Sequence, residues 1–131
     1  MIVRSFRDIE TVIRGAWSAA SCDPVDLAQW SPQNPARGQC AVTALVVQEL
    51  VGGDLLLAEV QNHDGSRQGV HYWNRLAGGL EIDLTREQFS AAEVVQAPSV
   101  VERPGDLTGG RLYPQYVALV SAVRAGLATA A

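Results

Sequence analysis

The chain has 131 residues, 47% of them hydrophobic, and a formal charge of -4 at pH 7. That length predicts a single domain over residues 1–131, with one sizeable core. With no run of Lys or Arg, the acidic balance leaves no footprint for nucleic acid or an anionic membrane surface, so neither is expected as a partner.

Met1 to Asp8 hold no long apolar segment, and the longest later apolar stretch, Ala41 to Val47, is too short to span a bilayer. A cytoplasmic protein is the expectation, in which Cys22 and Cys40 stay as thiols. Phe6, Ile9, Val12, Ile13, Ala16, Trp17 and Ala20 recur at three- and four-residue steps and predict an amphipathic helix capped by Ser5 with Asp8. From Ser21 to Gln39 that period stops. Pro24, Pro32, Pro35 and Gly38 punctuate a polar connection that carries Trp30, and so long a connection in a compact domain is usually functional.

Cys40 to Val51 is apolar on almost every face and ends at Gly52-Gly53, which predicts a buried helix; it is too long for a typical strand of about four to eight residues. Asp54 to Gln61, Gln68 to Leu76 and Leu80 to Thr85 predict three strands of an antiparallel meander. Thr85 with Gln88 suits a short helical turn, Pro98 and Pro104 mark an irregular stretch, and Tyr113 to Ala128 has a helical pattern. The class predicted is α+β.

A cysteine in the first turn of a helix meets unpaired backbone N–H groups and the positive end of the dipole, which favour the thiolate and an oxyanion beside it. Cys40 has that placement. A three-residue turn at Ala77-Gly78-Gly79 pairs Leu76 with Leu80, and the register then runs Arg75 to Glu81, Asn74 to Ile82, Trp73 to Asp83 and His71 to Thr85. Asp83 becomes the diagonal neighbour of His71, with Cβ atoms roughly 5 to 8 Å apart, while Asn74 falls on the opposite face. An Arg75–Glu81 ion pair would support this register. Cys40, His71 and Asp83 are therefore the candidate nucleophile, base and orienting carboxylate. Gln39 is a candidate oxyanion donor, and Trp73 and Trp30 candidate cleft walls.

Two other readings stand beside this one. A buried Cys and a strand His are often inert, which leaves a binding protein with a cleft for a small molecule or peptide. A zinc set from Cys22, Cys40, His63, His71 and Asp23 is chemically possible, but no paired-ligand spacing anchors it. No metal or cofactor is expected.

Trp30-Ser31-Pro32, Gly38-Gln39-Cys40-Ala41-Val42-Thr43-Ala44, His71-Tyr72-Trp73-Asn74 and Asp83-Leu84-Thr85 together resemble the YunG-like family of small uncharacterised bacterial proteins, over most of the chain. The order Cys, His, Asp, with a helix followed by a meander, more distantly resembles the transglutaminase-like branch of papain-fold enzymes. That resemblance implies a papain-like core and amide hydrolysis or acyl transfer on an unknown small-molecule or peptide substrate. The papain pattern carries Gln six residues before its cysteine, where this chain has Asn34, so the resemblance implies the Asn34 side-chain amide as a further candidate oxyanion donor.

Overall fold

The computed structural model describes residues 5–129, so the reading of the chain start at Met1 to Arg4 lies outside it. Helix α1 spans Phe6–Ala16, α2 Cys40–Val51 and α3 Tyr113–Thr129. The Asp8 carboxylate accepts the Ser5 N–H and so closes the start of α1. Ile9 and Ile13 of α1, Val42, Val46 and Val47 of α2, and Leu119, Val120 and Val123 of α3 meet in one buried cluster. The all-round apolar sequence of α2 follows from its position, since it packs on α3 and on the sheet at once.

The sheet is antiparallel. Strand β1 (Asp54–Gln61) pairs along its length with β2 (Arg67–Arg75), and β2 pairs with the short β3 (Glu81–Ile82). On its other edge β1 pairs with β4 (Val94–Val95) and β5 (Ser99–Val101). Strand β5 falls within the stretch marked by Pro98 and Pro104 and expected to be irregular, and β4 lies just before it, where no element is expected. Leu76 N–H donates to Leu80 O across the turn, and Asn74 lies opposite Ile82 and Arg75 opposite Glu81, as the turn length predicts.

The third strand is shorter than the expected Leu80 to Thr85. It stops at Ile82 because Leu84 turns into the helical core and Thr85 opens a single 3-10 turn, Arg86–Gln88. Alternation still sorts these residues: Ile82 and Leu84 join the helices, whereas Glu81 accepts from Trp73 and Asp83 from His71. Asn74 points the other way and donates to Ala44 O, fastening α2 to the sheet. Among the described residues no helix is long and apolar enough to cross a membrane.

Candidate functional site

The entry to α2 is built around Gly38. Its φ of 72° is left-handed, and a Cβ there would lie 2.5 Å from Cys22 Sγ. Gly38 O accepts from Asp23 N at 2.9 Å, and Gly38 N donates to Gln88 Oε1 at 3.3 Å. The chain is thus held on both sides two residues before Cys40. Thr43 N–H donates to Gln39 O, so the amides of Cys40, Ala41 and Val42 stand ahead of the α2 ladder, where helix geometry supplies no carbonyl for them.

His71 is fully buried on β2, and its Nε2 donates to Asp83 Oδ2 at 2.7 Å. Trp73 stacks on the ring at 5.4 Å and Phe89 meets it edge-on at 4.8 Å. Burial by itself pulls the imidazole pKa down; the Asp83 hydrogen bond, and after it the interaction with Cys40, outweigh burial and hold it at about 9. Among the described residues the buried Nδ1 completes no hydrogen bond of good geometry, so Cys40 raises the ring's pKa, by hydrogen-bonding proximity first and by charge second, without a well-formed bond. The ladder with β3 begins only at Asn74, so among the described residues the β2 edge at His71 has no strand neighbour on that side.

Cys40 lines a cavity of about 730 Å³ together with Ala41 and Leu45 of α2, Leu55 and Leu57 of β1, and Tyr72 of β2. Burial first, and then the charge of Cys40, push the Tyr72 phenol above its ordinary range. At the rim, Arg111 reaches from the loop before α3 to Asp23 with bonds of 2.9 and 2.8 Å, and that hydrogen bond holds Asp23 below the usual carboxylate range.

Neither His71 nor Asp83 is among the residues that line the cavity, and nor are Gln39, Asn34, Trp73 and Trp30. The Gln39 amide is committed elsewhere: Nε2 donates to Ser18 O and Oε1 accepts from Ser21. Asn34 closes a local bridge with Ser31, and the Trp30 indole donates to Pro35 O, so both anchor the connection itself. Trp73 packs with Leu56, Ala58 and Val95 and gives its indole N–H to Glu81. The zinc set is not gathered, and among the described residues no group of three or more His, Cys, Asp or Glu could hold a metal ion. Cys22 is buried, its thiol shared between Asp23 O and Arg37 O. Burial, aided by Asp26 and Asp23, pushes it up to about 11.

Sequence reasoning missed Tyr72, Phe89 and Arg111 as neighbours of the site, and it took Gln88 only as a helix-turn residue. Gln88 lines the cavity and also bridges Gly38 N to Thr85 Oγ1, tying the Cys40 loop to the segment that carries Asp83. The Thr85–Gln88 spacing was the available signal.

Three helices on an antiparallel sheet, with a cysteine opening the central helix over a cavity, define an α+β protein with one accessible thiol. The family model "YunG protein" matches residues 5–128, and the chain belongs to that family. It is similar to "Uncharacterized protein YunG" of Bacillus subtilis (strain 168), with 31% identity over 83 residues, 63% of this chain and 62% of that protein. The chain thus matches less than two thirds of that relative's length. No solved structure matches.

Proposed function

We propose that Cys40, His71 and Asp83 form a thiol site for amide hydrolysis or acyl transfer. The observation that carries this reading is His71, a fully buried ring whose Nε2 bonds Asp83 at 2.7 Å; that bond, and after it Cys40, raise the imidazole pKa against burial to about 9. An imidazolium beside a cysteine at a helix start favours the thiolate. The order of these residues along helix and strands resembles the transglutaminase-like branch of papain-fold enzymes, an analogy of arrangement.

In this mechanism Cys40 sulfur attacks the acyl carbon, and the carbonyl electron pair moves to oxygen. Backbone N–H groups at the start of α2 stabilise that oxyanion. The tetrahedral species collapses, the bond to the leaving group breaks, and His71 supplies the leaving group's proton. Water or an amine then attacks the thioester, returns a proton to His71 and releases the Cys40 thiolate. Asp83 orients the ring throughout.

One observation favours a second reading, a binding protein with a structural His71–Asp83 pair: His71 is fully buried and is not among the residues that line the cavity. Reaction with p-nitrophenyl acetate separates the two. A burst of p-nitrophenolate with an acetyl group on Cys40, abolished in Cys40→Ser and slowed in His71→Gln, supports catalysis. An unmodified Cys40 after prolonged exposure favours binding.

A further inference from the structure

We infer that the cavity selects an apolar acyl chain, whose carbonyl sits at Cys40 and whose tail runs along α2 toward Leu45. This rests on the thiol reading. Ala41 and Leu45 are four residues apart and share one helix face, leading away from Cys40 by about 7 Å along the axis. Facing them, Leu55 and Leu57 project from the same side of β1, and Val101 pairs with Leu55 on β5 and also lines the cavity. The floor is therefore a continuous aliphatic track that starts at the thiol.

The charges around the cavity do not compete for that track. Arg37 is paired with Asp26 at 2.9 Å, and Arg111 with Asp23 at 2.8 Å. Glu102 and Asp106 belong to the exposed loop at the rim. A charged acyl group on the floor would lose its hydration and find no ionic partner, whereas each buried methylene gains transfer free energy. The polar rim is left for the leaving group or acceptor.

The test uses p-nitrophenyl acetate, butyrate, hexanoate and octanoate with the intact chain. The second-order rate of Cys40 acylation should rise about fourfold per methylene until the track is filled. In parallel, primary carboxamides from acetamide to octanamide, in which the acyl chain itself lengthens, are titrated against Cys40→Ala by calorimetry, with affinity expected to rise at a similar rate. Leu57→Gln should flatten both series. Acylation and binding that are independent of chain length overturn the inference and leave the thiol reading standing. Length-dependent binding without acylation by any ester overturns the thiol reading and keeps the chain preference. Neither acylation nor binding overturns both.

Discussion

The charged state of His71 predicts a pH dependence of stability. Its ring is held at about 9 in the folded chain, against 6.5 for an ordinary imidazole, so the folded state binds this proton more tightly than the unfolded state. The stabilisation is fully present below about pH 6.5 and is lost as pH rises through about 9. At about 1.4 kcal/mol per pH unit the gap is worth about 3 kcal/mol, a large share of a domain's net stability. Urea unfolding at a series of pH values, in the wild type and in His71→Gln, reads this directly. The substitution also carries a pH-independent cost, so the informative quantity is the change in the difference between the two proteins. That difference should shrink by about 3 kcal/mol between roughly pH 6 and pH 10. Asp83→Asn removes the strongest influence opposing burial and should abolish most of the slope while keeping the side chain's shape. A difference that is flat across this window, or that grows with pH, would refute a buried imidazolium held by Asp83 and Cys40.

Two further outcomes follow from the cysteines and their glycine neighbour. A short pulse of iodoacetamide at neutral pH, read by mass spectrometry, should label Cys40 at the cavity and spare Cys22, whose buried thiol is raised to about 11; equal labelling of both would remove the basis for an accessible, activated Cys40. Gly38→Ala places a Cβ against Cys22 Sγ at a φ of 72°, which should cost at least about 2 kcal/mol and lower the melting temperature by roughly 6 to 10 °C. Adding Cys22→Ala should recover the steric part of that loss and leave the backbone part, and an unchanged melting temperature in Gly38→Ala would contradict the packing described at the entry to α2.

Local signals were legible wherever one short stretch contained the whole instruction. Cys40–Val51 and Asp54–Gln61 form a helix and a strand with the bounds expected, because an apolar run closed by glycine, and an alternating run between polar turns, each state their own ends. Strands β4 and β5 were not legible. Two or three residues carry no measurable period, and their pairing depends on β1, which lies more than thirty residues earlier in the chain. The cavity is hidden for the same reason, since its walls come from α2, the sheet and the loop before α3.

The hairpin shows how a correct register can be argued partly from an interaction that does not form. Arg75 and Glu81 are opposite one another as expected, yet Arg75 reaches Asp54 at 3.4 Å and Glu81 accepts from the Trp73 indole at 2.7 Å. An exposed ion pair is worth little, whereas a buried indole N–H without an acceptor is costly, so Glu81 serves the indole and Arg75 takes the neighbouring carboxylate. The turn and the alternation of apolar residues therefore suffice to set the register that brings Asp83 to His71. Glu81→Gln tests that division: a side-chain carbonyl still accepts from Trp73, so the His71-dependent slope of stability with pH should persist, whereas Glu81→Leu should lower stability by about 1 to 3 kcal/mol by orphaning the indole N–H. Loss of the pH slope in Glu81→Gln would mean that the charge of Glu81, and not the turn, holds His71 and Asp83 together.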